Sequence, residues 1–113
     1  MSKVQMLDVL LSCERVMKVN TNILRGRITK RSIARSRMVA MAACRQLTDF
    51  SVSAIGRYFC DRDHSTVLHA CERAQTDENL RLLLNAVVAD AMKQTPILQR
   101  WIDAVPFKTR RTK

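Results

Sequence analysis

Residues 51–73 decide the fold: Ser51-Val52-Ser53-Ala54-Ile55-Gly56-Arg57-Tyr58-Phe59-Cys60-Asp61-Arg62-Asp63-His64-Ser65-Thr66-Val67-Leu68-His69-Ala70-Cys71-Glu72-Arg73. Ser51 stands where a helix N-cap is wanted, and the residues from Val52 to about Phe59 turn Ile55 and Phe59 to one side. Cys60-Asp61-Arg62 is too short for anything but a turn. Asp63 then offers a second N-cap, and His64 to Ala74 read as a helix with Val67, Leu68 and Cys71 inward. Two short helices joined by a turn of three or four residues form a helix-turn-helix.

Helical patterning continues on both sides. Val4, Leu7, Leu10, Leu11 and Met17 make residues 3–19 an amphipathic helix. Thr21 or Asn22 can cap a short turn through Leu24 that Gly26 ends. Residues 25–31 read as a basic loop, and Ser32 as the cap of a long helix from Ile33 to Leu47. Its apolar positions Ile33, Met38, Met41, Ala42 and Leu47 are mixed with alanines that permit close packing. A helix from about Asp77 to Met92 presents Leu80, Leu83, Leu84, Val87, Val88 and Met92 inward. Thr95-Pro96 fits a cap followed by proline at the first helical position. A last short helix, Ile97 to Ala104, carries the apolar group Ile97, Leu98, Trp101 and Ile102 and stops at Pro106. Lys108 to Lys113 form a basic tail. With 113 residues the chain suits one core, residues 1–92, and a C-terminal extension, residues 93–113. Two glycines, two prolines and a low aromatic content argue against a meander of short strands. The expected class is all-α.

The charge points to a polyanion. Twenty basic residues against ten acidic give a net charge of +10. Between Arg25 and Arg45 stand seven basic residues (Arg25, Arg27, Lys30, Arg31, Arg35, Arg37, Arg45) and no acid. A merely solvated charged face usually includes acids for i,i+4 pairing.

Other chemistry is poorly supported. Cys13, Cys44, Cys60 and Cys71 include no C-x-x-C pair, and His64 and His69, five apart, do not share the helix face that i,i+4 ligands need. Neither metal nor cofactor is therefore expected, and reduced thiols suit an intracellular protein. No nucleophile motif surrounds His64, and no phosphate-cradling G-x-x-x-x-G-K-[ST] occurs, so the reading is not enzymatic. The apolar stretch near Leu7 to Leu11 is interrupted by Asp8, and nothing reaches the roughly 18 apolar residues of a membrane span. A cytoplasmic, nucleoid-associated protein is the expectation.

A recognition helix reads bases with its first residues, which point into the major groove. Here these are Asp63, His64, Ser65 and Thr66. A carboxylate accepts from a cytosine amino group, hydroxyls bond in either sense, and small groups touch a thymine methyl. Asp63 equally serves as a cap alone. Arginines on a loop can enter a minor groove or contact phosphates, and Arg37 and Arg45, eight apart, lie near one helix face.

Ser32-Ile33-Ala34-Arg35-Ser36-Arg37, Ala40-Met41-Ala42, Leu47-Thr48, Ile55-Gly56 and above all Arg62-Asp63-His64-Ser65-Thr66-Val67-Leu68-His69-Ala70-Cys71 resemble the C-terminal DNA-binding domain of the bacterial replication initiator DnaA. The resemblance covers about residues 3–92. It implies packed helices around a helix-turn-helix, related to the Trp repressor type, and binding to a short asymmetric A/T-rich box in double-stranded DNA. It further implies that Asp63, His64 and Ser65 read bases, and that Thr66, Arg37, Arg45 and Arg73 contact phosphate. The family's minor-groove arginine aligns with Thr29, leaving Arg27, Lys30 or Arg31 to replace it. Met38 stands where the family commonly has Gln, Ser65 replaces Thr, and Cys60 stands where Gly is frequent. The family's ATPase module has no counterpart in these residues. The reading is therefore a stand-alone box-binding protein that acts in, competes with or assists replication initiation, or controls transcription. The alternative is a helix-turn-helix that packs on a protein of the replication machinery. Oligomeric state stays open.

Overall fold

In the computed structural model, which describes residues 4–94, the chain is built around one central helix. The described residues form six helices and no strand: α1 Met6–Met17, α2 Thr21–Arg25, α3 Arg31–Leu47, α4 Val52–Tyr58, α5 His64–Thr76 and α6 Glu78–Gln94. α3 packs against each of the other five. Its second half explains how: Val39 to Cys44 are all buried, and three of those six residues are alanine. A helix apolar on all sides belongs in a core, and small side chains let several partners approach it. Around it lie Val9, Leu10 and Cys13 of α1, Leu24 of α2, Ile55 of α4 and Phe59 just beyond it. Val67, Ala70 and Ala74 of α5 and Leu80, Leu84, Val87 and Val88 of α6 complete the core. Arg15 joins α1 to α6 through a 2.8 Å ion pair with Asp90.

The helix ends show local chemistry. Asn20, not Thr21 or Asn22, caps α2, its Oδ1 accepting from the Asn22 N–H at 2.8 Å. Gly26 ends α2, donating to the Ile23 carbonyl at 3.1 Å. Ser51 Oγ accepts from the Ala54 N–H at 3.1 Å, as expected of a cap. The expectation for Ser32 is corrected: α3 starts earlier, at Arg31, with Lys30 at the cap position and no side-chain cap bond. Asp77 is not the first residue of α6 but its cap, accepting from the Leu80 N–H at 3.2 Å. α5 is also rotated from its expected face. Leu68 is 45 % exposed and Cys71 half-buried, because Val67, Ala70 and Ala74 seat the helix instead. The expected cap at Thr95-Pro96, the helix Ile97 to Ala104 and the basic tail lie outside the described residues. The four cysteines are free thiols. Burial pushes the Cys13 thiol up to about 12, so it stays protonated and acts as a small apolar group.

The turn between α4 and α5 is held tightly. The Arg62 N–H donates to the Gly56 carbonyl at 2.8 Å, and the Asp61 N–H to the Arg57 carbonyl at 3.2 Å. Cys60 and Asp61 both take left-handed backbone, at φ 64° and 56°. That region costs an L-residue roughly 1–2 kcal/mol, whereas glycine enters it freely at a smaller entropic cost. Cys60→Gly is therefore expected to stabilise the fold by about 0.5–1 kcal/mol. A raised urea midpoint at unchanged slope would show it; a lowered midpoint would mean the half-buried thiol contributes more than the strain removes.

Candidate nucleic-acid interface

Asp63, the N-cap of α5, and the first three residues of the helix, His64, Ser65 and Thr66, are all exposed. Asp63 Oδ2 accepts from the Ser65 N–H at 3.3 Å and from the Ser65 hydroxyl. Its Oδ1 lies 3.6 Å from His64 Nδ1. The Ser65 hydroxyl, then the Ser65 N–H, hold the Asp63 carboxyl below the ordinary carboxylate range, so it is an anion at neutral pH. An ionised carboxylate has about four acceptor sites. The cap hydrogen bonds thus use Oδ2, while Oδ1 lies beside the imidazole. Capping and base reading are compatible in one side chain.

Thr66 lines a half-open cavity of about 230 Å³ that lies between the loop, α3 and α5. Thr29 contributes from the loop, Ala34, Arg37, Met38 and Met41 from α3, and Arg62, His69 and Ala70 from the turn and α5. Two phosphate candidates, Thr66 and Arg37, thus share one concavity with Thr29. They are not equivalent. Thr66 is exposed, whereas Arg37 is 5 % exposed. Its Nε donates to the Leu24 carbonyl at 2.7 Å and Nη2 to the Ile23 carbonyl at 3.2 Å. Burial lowers its pKa, as does the neighbouring Arg62. Arg37 therefore fastens α2 to α3, and only the part that lines the cavity is open to a ligand.

Arg45 and Arg73 are exposed. Arg45 lies near Cys71 of α5, where its charge opposes the rise that burial imposes on the thiol. Arg73 pairs with Asp77 at 3.5 Å, and Arg35 approaches the same carboxylate at 3.7 Å. Hydrogen bonds from the start of α6 and the two arginines keep that carboxyl below its ordinary range. An acid from outside the basic segment therefore compensates part of it. Of the loop candidates, Arg27 and Lys30 stand exposed on the connection and Arg31 exposed at the first position of α3. Arg25 is set apart: it ends α2 and rests on Tyr58 of α4, its Cζ 4.0 Å from the ring centroid.

Residues 8–74, more than half of the chain, match the model of the bacterial DnaA protein helix-turn-helix family. The chain belongs to that family. The match begins in α1 and ends inside α5, and so includes the loop, α3, the α4–α5 turn and every residue of the candidate interface. A DnaA-type helix-turn-helix is a fold that binds double-stranded DNA. Among the described residues no three His, Cys, Asp or Glu side chains converge as metal ligands, and no helix is long and apolar enough to cross a membrane.

Sequence reasoning missed two contributors. Asp77 carried a signal, since an acid directly before an apolar helix is a common cap. The Arg25–Tyr58 contact carried none, because the two residues meet only through the fold.

Proposed function

We propose that the protein binds a short, asymmetric, A/T-rich box in duplex DNA. α5 lies in the major groove, and Asp63, His64 and Ser65 face base edges. Arg27, Lys30 or Arg31 enters the adjacent minor groove. One sugar–phosphate strand separates neighbouring grooves. It passes over the cavity between Thr29 and Thr66, where Thr66 and the open part of Arg37 meet a phosphate. Arg45 and Arg73 contact phosphates on either side. The observation that carries this reading is the run Asp63 to Thr66, exposed throughout at the start of α5. By occupying boxes that a full initiator uses, the protein regulates replication initiation or transcription.

Selection of bound duplexes from a random pool tests the reading, and one asymmetric A/T-rich site is the expected winner. Arg45→Ala is expected to weaken binding to that site and to other duplexes similarly and to reduce the salt slope by about one. No enriched site, together with salt-insensitive association, would overturn the proposal in favour of a protein interface. Competition with a full initiator on one labelled origin fragment then reads the role. Displacement with reduced strand opening marks an inhibitor, enhanced opening a helper, and separate binding sites a target elsewhere.

A further inference from the structure

We infer that Arg25 and Tyr58 form a clasp that sets the position of the basic loop relative to the reading helix. The inference rests on the DNA-binding reading above.

Arg25 is the last residue of α2, and the loop with Arg27 and Lys30 leaves directly after it. Its Nε donates to the Tyr58 carbonyl at 2.9 Å, and its guanidinium carbon lies 4.0 Å from the Tyr58 ring centroid. The second distance is well inside cation–π range. The first satisfies a carbonyl at the end of α4, where helical partners run out. Tyr58 is itself held: its ring meets Phe59 edge-on, with centroids 5.9 Å apart, and Phe59 is fully buried. From the other side Arg37 holds the carbonyls of Ile23 and Leu24. The loop's point of departure is thus fastened to α3 by one arginine and to α4 by another. α4 and α5 pack together across the tight turn, so fixing the loop on α4 fixes it relative to Asp63 and His64.

This placement makes Arg25 a positioning residue. A flexible arm must be ordered when it enters a groove, and ordering it beforehand removes that entropic cost from binding. A charge committed to a carbonyl and a ring is not the charge that a phosphate takes. Arg25 is exposed, so its substitution leaves the core in place; Tyr58 is half-buried against the core, and leucine keeps an apolar side chain there.

The test uses the full chain and three variants, Arg25→Lys, Arg25→Gln and Tyr58→Leu. In the free protein, amide order parameters for residues 26–30 are expected to fall towards flexible values in each variant, while those of α5 stay rigid. On the selected site each variant is expected to bind about two- to fivefold more weakly, the range a partly exposed cation–π contact supports. The losses of Arg25→Gln and Tyr58→Leu are expected to be non-additive with each other and with Arg27→Ala. They are also expected to vanish on a duplex whose minor-groove A/T tract is replaced by G·C pairs. The salt slope of Arg25→Gln stays that of the native chain. A slope reduced by about one in Arg25→Gln, with Tyr58→Leu unaffected, would make Arg25 a direct phosphate contact and overturn the inference. Unchanged order parameters would overturn it as well, whether or not DNA binds. Failure of the native chain to bind any duplex would instead overturn the functional reading.

Discussion

His64→Ala is expected to lower affinity for the preferred duplex by about 1–3 kcal/mol, or roughly 5- to 150-fold, and to relax base choice at one position. The ring is exposed at the first position of α5, with its Nδ1 3.6 Å from Asp63 Oδ1, so its loss removes no core packing. The fold should therefore be unchanged while recognition suffers. Asp63 needs a different substitution, because alanine would remove the cap and the base contact together. Serine is also a strong N-cap, so Asp63→Ser keeps the start of α5 and removes only the carboxylate. Its expected effect is a changed preference at the base pair facing Asp63 Oδ1, with little change on unrelated DNA. Titrations against a panel of single-base-pair variants read both substitutions. Should His64→Ala keep both affinity and preference, the imidazole does not face a base, and the docking of α5 is wrong.

The helix-turn-helix was legible because its signals are local. Ser51 and Asp63 are caps, and two helices joined by so short a turn leave little choice of arrangement. The inward face of α5 was less legible. Val67, Leu68 and Cys71 are the more hydrophobic set, yet Val67, Ala70 and Ala74 seat the helix. Close approach to the alanine-rich half of α3 favours small side chains, and a hydrophobicity pattern weights Leu over Ala. Arg37 shows the same limit from the polar side. In sequence it belongs to an uncompensated basic run; in the fold its acceptors are carbonyls of the preceding helix. Arg35 likewise finds Asp77, far along the chain. Charge composition indicates a polyanionic partner, but the division of arginines between partner and fold depends on which backbone groups tertiary packing leaves unsatisfied. The family match supports the nature of the partner, and the geometry shows which arginines the fold itself engages.

Gly56→Ala is expected to do the opposite of what an interior helical glycine normally predicts. Alanine is favoured over glycine inside a helix by about 1 kcal/mol, and Gly56 lies within α4. Here, however, a Cβ would stand 2.2 Å from the Arg62 carbonyl oxygen and 3.2 Å from its carbon. Both are backbone atoms, and they cannot swing aside as a flexible side chain would. The 2.8 Å bond from the Arg62 N–H to the Gly56 carbonyl draws the strands of the turn together at that point. Val67 lies just beyond, its Cγ2 3.5 Å from the same Cβ position. To admit the methyl group, the turn must move off α4, carrying Asp63 and the start of α5 with it. Overpacking of this kind costs about 1–3 kcal/mol, and each kcal/mol lowers the melting midpoint of so small a domain by roughly 4–8 °C. Binding should weaken on preferred and altered sites alike, because the whole reading helix is displaced rather than one contact removed. Calorimetric melting together with the base-pair panel would show this, and a midpoint equal to or above the native value would contradict the close approach at Gly56. A second substitution sharpens the test. Cys60→Gly frees the φ 64° residue of the same turn, so in the Gly56→Ala background it should recover part of the loss by letting the turn find another path. Its gain there should exceed its gain in the native chain, a coupling expected only if Gly56 and Cys60 constrain one piece of backbone.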